Sequence, residues 1–593
     1  MAFFSIDLSG QSQKYIDNLD VPVKEVSIGT AWSVYYDELL VSRVELHGWI
    51  FLWYGEFNAA PNFERVACLL DSGYFQELWG NRGVLIAIDR STSAAYLFND
   101  CYGSFPVYYS ETESCPSPAV SSSIRSLSCS KQVDWPSFYQ FLSFGYVFGG
   151  YSLYKGVSRL RANSYLKISF GNDALSIGRH DLKNFWVSGN TTGKPKLDDL
   201  IDILREEAEG FDNTQIMMSG GWDSRLVLSI LKRKEPTLFT HGNLNSREIQ
   251  IVKDIASFCQ LPLKEQSISD IDFNVDLFSR YLFENDSAMF THWSAAGLYA
   301  RENNLIMTAG TFGEVLGGHY GTLNALKGGG KYASLLMHTL GLGGVFDKFL
   351  GLGHSSVVLN HLKMKSYGVF WFLNKELLEV LRSKNLIEES NRRLLREFEY
   401  YREQGMENAQ EMFERFYTEH RGGQYINLQL TNSSSRSKYR NIFTNKDLIH
   451  NISSISFGDR AHNKINKKII NKLSPQLLRY PMAATLVNAD RPLLIQEGSR
   501  AVRKVIENNP HMSSLYRCHA RYGNRSFGWN NFKDVVNGNF IEKLSPLLGQ
   551  SLWDLRKIEE TINADKTTNM YPLFDMVSKA ITLNHIVGDA PII

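Results

Sequence analysis

Short runs of mixed aromatic and branched apolar residues dominate the start of the chain. Val41–Phe57 and Val84–Phe98 are two such runs, bounded by Gly and Asn/Asp/Ser clusters, and that pattern predicts strands. Trp186–Lys196, WVSGNTTGKPK, is polar and carries Gly and Pro, as a linker should. Leu197–Phe211 has the spacing of an amphipathic helix, with Asp198 and Asp199 at its start, where the macrodipole favours acids. From there the pattern becomes strand, loop, helix: Thr214–Met218, a glycine turn, Arg225–Leu231, then Pro236–Thr240 and Arg247–Cys259. Such alternation predicts a parallel sheet with helices on its faces. Beyond residue 370 the pattern is helical, and the charged stretch from Glu388 to Arg421 reads as solvated helix faces. The expected architecture is α/β with an N-terminal β-rich α+β domain over 1–185 and a linker over 186–197. A parallel-sheet domain over 198–480 and a mostly helical extension over 481–593 complete it.

The sharpest chemical signal is Ser219-Gly220-Gly221-Trp222-Asp223-Ser224-Arg225, directly after the apolar strand and opening a helix. A strand–glycine turn–helix unit aims backbone N–H groups and the positive helix end at an anion. Glycines let the backbone approach that anion closely. Ser219 and Ser224 add hydroxyl donors, and Asp223 is a candidate Mg²⁺ ligand bridging phosphates. A second glycine-dense stretch, Gly317–Gly353, includes Gly330-Lys331 followed by Tyr332 and lacks Walker A spacing. A lid over a substrate and a closely packed connection both fit it.

Composition narrows the setting. The 593 residues are 43% hydrophobic and 21% charged, a globular balance for a chain of two to four domains. Lys+Arg 63 against Asp+Glu 62 leaves a net charge of +1, which argues against a broad nucleic-acid footprint or a polybasic membrane surface. The six cysteines include no CxxC pair, and Cys518-His519 lacks the second half of a zinc site. Reduced thiols, no basic n-region ahead of an apolar core, and no apolar run of roughly 20 residues make a cytoplasmic protein without a membrane span the expectation.

The loop resembles the pyrophosphate-binding loop of the ATP-pyrophosphatase (PP-loop) superfamily, and three further stretches resemble asparagine synthetase and its relatives. Asn99-Asp100-Cys101-Tyr102-Gly103-Ser104-Phe105-Pro106-Val107-Tyr108-Tyr109 is similar to the family's D-x-x-G-x-x-P-L/V-Y-Y, with Ser121–Leu127 following in place of S-x-x-I-x-x-L. Ile306–His319 is similar to the SGEGxDElfGGY motif, and Tyr439–Asn445 to E-x-R-x-P-F-L-D. In order along the chain, these cover residues from about 40 to 480.

The resemblance implies an amidohydrolase-like (Ntn) sandwich followed by a PP-loop synthetase domain. It also implies ATP and Mg²⁺ as cofactors, and adenylation of a carboxylate for transfer to an amine or ammonia. By this likeness Met217, Met218, Ser219, Gly220, Gly221, Asp223, Ser224, Arg225, His241 and Gly242 hold the nucleotide. Asp223 and Glu314 take the metal, and Asp223, Glu314 and a late-helix lysine, Lys464 (with Lys467 and Lys468 near it), serve catalysis. Glu284, Asp286 and His292 are candidate substrate contacts, His292 being the more ordinary packing histidine. Partners are a small-molecule or peptide carboxylate and an amine, with a homodimer open.

Three departures qualify this. Position 2 is Ala2 where glutamine-dependent members carry the cysteine nucleophile, and no other position supplies a thiol with its own free amine as base. The expected N-terminal domain therefore lacks glutaminase activity, like that of β-lactam synthetases and lasso-peptide cyclases. A gapless match puts Gly313 at the second motif's Asp and leaves Glu314 as its only acid, and Asn445 replaces the Asp of PFLD. An ammonia-dependent asparagine synthetase and a non-catalytic scaffold are the alternative readings; a tRNA-modifying enzyme is disfavoured by the neutral charge and scattered thiols.

Overall fold

The computed structural model describes residues 3–588, apart from short gaps within the first 131 residues, residue 384, and 171–174, 183–194, 346–371, 407–408, 433–436, 509–531, 550–551 and 565–569; only scattered residues are described between 319 and 345. Ala2, most of the 186–197 stretch and most of Gly317–Gly353 thus lie outside the described residues.

Among the described residues, twelve strands precede residue 183: β1 Phe4–Leu8, β2 Val23–Ile28, β3 Trp32–Asp37, β4 Ser42–Leu46, β5 Trp49–Gly55, β6 Gly83–Asp89, β7 Ala94–Phe98, β8 Tyr108–Ser110, β9 Val120–Ser121, β10 Val157–Arg159, β11 Ser164–Phe170 and β12 Leu175–Asp181. They form two antiparallel sheets, ordered β10-β8-β9-β1-β3-β2 and β12-β11-β7-β6-β5-β4. Strand periodicity explains their packing. In β5, Ile50, Leu52 and Tyr54 join a core shared with Phe4, Ile6 and Val34 of the other sheet. Trp49, Phe51 and Trp53 point the opposite way, onto helix α1 (Phe63–Asp71). Both faces are covered, so the sequence reads as an unbroken apolar run.

The later region starts with helix α2 (Leu197–Ala208) and a four-stranded parallel sheet. In chain order it runs β13 Thr214–Met217, helix α3 Trp222–Leu231, β14 Thr237–Gly242, helix α4 Arg247–Cys259, β15 Leu263–Ser267, helix α5 Ser294–Glu302 and β16 Ile306–Ala309. The sheet order is β15-β14-β13-β16, so strands added after β13 fall first on one side of it and then, with β16, on the other. That divergence opens a crevice at the carboxyl ends of the strands. Ile216 and Leu226, both fully buried, anchor strand and helix on either side of the glycine turn; truncating either to Ala costs about 2–5 kcal/mol.

Later described elements are helices, including α6 (Leu386–Glu403) and α7 (Lys464–Leu473), with a π-helix over Tyr417–Ile426. The charged stretch here is not simply solvated. Arg393 grips Asp134 at 2.5 and 2.9 Å, Arg161 pairs with Glu397 at 2.7 Å, and Arg415 pairs with Glu419 at 2.7 Å, all within the protein. Their partners come largely from the antiparallel-sheet region, which a local charge pattern does not reveal. His420 completes this cluster: its Nε2 accepts from Gly149 N–H at 2.7 Å and its Nδ1 lies 3.0 Å from the Phe416 carbonyl. Both ring nitrogens are thus committed to the backbone, which argues against metal binding by Glu397, Glu419 and His420. Apolar packing also crosses the expected boundaries: Phe540, Leu544 and Phe574 share one core with Trp135, Phe138 and Leu142. Among the described residues no helix is long and apolar enough to cross a membrane.

Candidate active site

The glycine turn lies at the carboxyl end of β13 and lines a cavity of about 220 Å³. Gly221 caps α3 without a side-chain bond, and the first turn of an α-helix carries N–H groups that have no partner within the helix. The serines brace the turn from within: Ser219 and Ser224 hydroxyls lie 2.9 Å apart, Gly221 N–H donates to Ser219 Oγ at 3.2 Å, and Ser224 Oγ donates to the Ser219 carbonyl at 2.9 Å.

Asp223 sits in the first turn of α3 and accepts from Asn466 Nδ2 at 2.9 Å. Part of the residue borders the cavity, while its carboxyl is withdrawn from bulk water. Burial, and next the charge of Glu314, push its pKa well above the usual carboxylate range, with the Asn466 bond opposing. Glu314 reaches the same cavity from the turn after β16, and its buried Oε2 has no hydrogen-bond partner among the described residues. Two carboxyls facing one space, one with an unmet oxygen, suit a divalent cation, which would relieve their repulsion.

The opposite wall is aromatic and neutral. His241, at the end of β14, lies 5.4 Å from the Trp293 ring and 5.6 Å from that of His292. Burial lowers His241 to about 4, so it is an uncharged ring at neutral pH, suited to a flat heterocycle. Met217, Met218 and Thr240 complete this side.

No protein-family model matches the chain, and no curated protein does.

Of the residues singled out from sequence, Met217, Met218, Ser219, Gly221, Asp223, Ser224, His241 and Glu314 line the cavity together. Gly220 and Gly242 do not line it. Arg225 is fully buried and donates to the carbonyls of Leu477, Tyr480, Pro481 and Gly220, so it clamps the turn onto the segment after α7. Lys464 Nζ donates to the Gly458 carbonyl at 2.7 Å, and Lys467 Nζ to the Asp490 carbonyl at 2.7 Å. The α7 side chain bonded to Asp223 is Asn466. Asp286 belongs to a different cavity, where it accepts from Ser123 Oγ at 2.6 Å and Ile124 N–H at 3.1 Å. Glu284 does not line the 220 Å³ cavity, and His292 is packed among Phe290, Phe532, Tyr571 and Phe574.

The sequence reading missed Thr240, Glu248, Trp293, Thr311, Gln429 and Asn466. Glu248 was accessible by topology, because first-turn residues of the helix after β14 border the crevice. Its Oε1 accepts from Gly220 N–H at 3.2 Å, so a carboxylate already occupies one donor of the turn. Burial raises Glu248 from 4.5 to about 7. Between those values the folded chain holds a proton that the unfolded chain has released. The stability linked to this group is therefore full below pH 4.5 and is lost as pH rises through about 7. The same proton removes an anion from the turn. Inorganic pyrophosphate is thus expected to bind up to about fivefold more tightly at pH 7 than at pH 8, relative to Glu248→Gln. Calorimetric titration of both proteins checks this after correction for ligand protonation.

Two glycines after β16 bring the second turn against the first. A Cβ on Gly310 would lie 2.8 Å from Asp223 Cβ and 2.9 Å from the Ser224 nitrogen, and one on Gly313 2.8 Å from Asp223 Cβ. Gly310→Ala is expected to cost about 1–3 kcal/mol from overpacking, as read by thermal melting.

Proposed function

We propose that the chain is an AMP-forming, ATP-dependent carbon–nitrogen ligase of the asparagine synthetase type, with a PP-loop synthetase domain behind an amidohydrolase-like sandwich that lacks glutaminase activity. The observation that carries this is the convergence of an uncapped glycine turn, two facing carboxyls and an aromatic wall at the carboxyl edge of one parallel sheet.

ATP fits as substrate with its base near His241 and Trp293 and its β- and γ-phosphates at the 219–224 turn. A bound Mg²⁺, held by Asp223 and Glu314, would supply charge neutralisation at the phosphates. A carboxylate oxygen attacks the α-phosphorus, the α–β bridging bond breaks and pyrophosphate departs. An amine nitrogen then attacks the acyl carbon, AMP leaves, and the nitrogen loses a proton. The positive N-terminal end of α3 stabilises the growing charge on pyrophosphate. The methionines and Trp293 keep water from the acyl phosphate.

Incubation with ATP, Mg²⁺, an amine and a panel of carboxylates tests this: AMP and amide are expected, and ADP as the nucleotide product would contradict it. Glutamine should release no glutamate. A scaffold reading draws on Gly310 and Gly313, which leave Glu314 as the only acid of the second turn. It predicts neither nucleotide binding nor turnover. Asparagine formed from aspartate and free ammonia would mark the ammonia-dependent synthetase.

A further inference from the structure

We infer that the antiparallel-sheet region is a working part of this site: the buried Glu56–Arg82 pair, acting through Asn441, holds the Gly310–Gly313 turn in the conformation that closes on Asp223. The kinetic part of this inference rests on the ligase reading; the structural part does not.

Glu56 directly follows β5 and Arg82 directly precedes β6. Arg82 Nη1 meets Glu56 Oε1 at 2.5 Å, with side-chain exposures of 0% and 2%, and Arg82 Nε donates to Ser104 Oγ at 3.2 Å. The other carboxyl oxygen, Glu56 Oε2, leaves the sheet region. It accepts from Asn441 N–H at 3.2 Å and from Thr444 Oγ1 at 3.1 Å.

Asn441 carries the link onward. Its Nδ2 donates to the Thr311 carbonyl at 2.7 Å and lies 2.6 Å from Thr311 Oγ1, while its Oδ1 accepts from Phe443 N–H at 2.8 Å. The side-chain amide is engaged at both ends, so its orientation is set. Thr311 is part of the cavity wall.

The turn needs such support. Phe312 has φ +69, a left-handed backbone that an aromatic residue rarely adopts and that persists only when its surroundings over-determine it. Those surroundings come largely from the sheet region. The Arg82 guanidinium lies 5.5 Å from the Phe312 ring centre, and the Tyr102 ring 4.4 Å from it. On either side of this residue, Gly310 and Gly313 pack against Asp223. Glu56, Arg82 and Asn441 are therefore positioning residues that act through Thr311 and Phe312.

Asn441→Ala and the near-isosteric Thr311→Val, in the full chain, test this by two readouts. The first is hydrogen–deuterium exchange of the peptide spanning residues 306–317, independent of any activity. Exchange at least tenfold faster there, with peptides around β6 and β7 keeping wild-type protection, is the expected result. Wild-type protection of 306–317 in both variants would overturn the inference. The second is ATP–pyrophosphate exchange: kcat should fall at least tenfold with KM for ATP within twofold, because the 219–224 turn keeps its own contacts. Altered protection with an unchanged kcat would also overturn it. If the wild-type chain catalyses no exchange, the ligase reading fails, and the protection measurement alone decides the inference. Should Asn441→Ala fail to fold, Thr311→Val, which removes a single acceptor, carries the same comparison.

Discussion

Replacing Asp223 by Asn is expected to lower ATP–pyrophosphate exchange by roughly a thousandfold, equivalent to about 4 kcal/mol of transition-state stabilisation. Asn keeps the volume and leaves an acceptor for Asn466 Nδ2, which now lies 2.9 Å from the carboxylate. What it loses is the negative charge that a Mg²⁺ ion needs at the phosphates. Because burial and the charge of Glu314 raise the cost of ionising Asp223 in the unliganded chain, the variant should be at least as stable as the wild type. Steady-state kinetics and thermal melting together check the prediction: lost turnover with an unchanged or raised melting temperature. A fall in both would mean that Asp223 serves the fold.

Arg82→Met is expected to destabilise the chain by about 3–5 kcal/mol, the usual cost of leaving one partner of a buried ion pair behind. Burial pushes the Glu56 carboxyl above its ordinary range in spite of Arg82, so the pair is held at a desolvation cost. Removing Arg82 leaves that cost without its compensation. The double variant Arg82→Met, Glu56→Leu should recover more than half of the lost stability, since an apolar pair of similar volume has no charge to desolvate. Denaturant titration of the three variants measures this cycle. A double variant as unstable as the single would mean that the bonds from Glu56 to Asn441 and Thr444 outweigh the charge.

Much of the fold is legible in local signals. The helix expected over Arg247–Cys259 forms with those bounds because Ser246 accepts from the Ile249 N–H as its N-cap and Gln260 ends it in a left-handed turn. The 219–225 turn is equally local: glycines between an apolar strand and a helix start leave few alternatives. Legibility stops where a side chain's partner is remote in sequence. Lys464 and Asn466 share one helix, and only the helix's rotation against α3 decides which meets Asp223. The Glu388–Arg421 stretch looks solvated until Asp134 and Arg161, more than 200 positions earlier, are seen to neutralise it. Glu56 reads as the polar end of a strand, and its bonds to Asn441 and Thr444 span 385 and 388 positions.

On the ligase reading, the 219–224 turn binds the pyrophosphate of ATP while a carboxylate attacks its α-phosphate. Isotope exchange between labelled pyrophosphate and ATP, catalysed by the wild-type chain with Mg²⁺ and a carboxylate panel, tests it most directly. Label should enter ATP only when both Mg²⁺ and an accepted carboxylate are present, and roughly a thousandfold more slowly with Asp223→Asn. Absence of exchange across the panel, together with no detectable ATP binding, would contradict it.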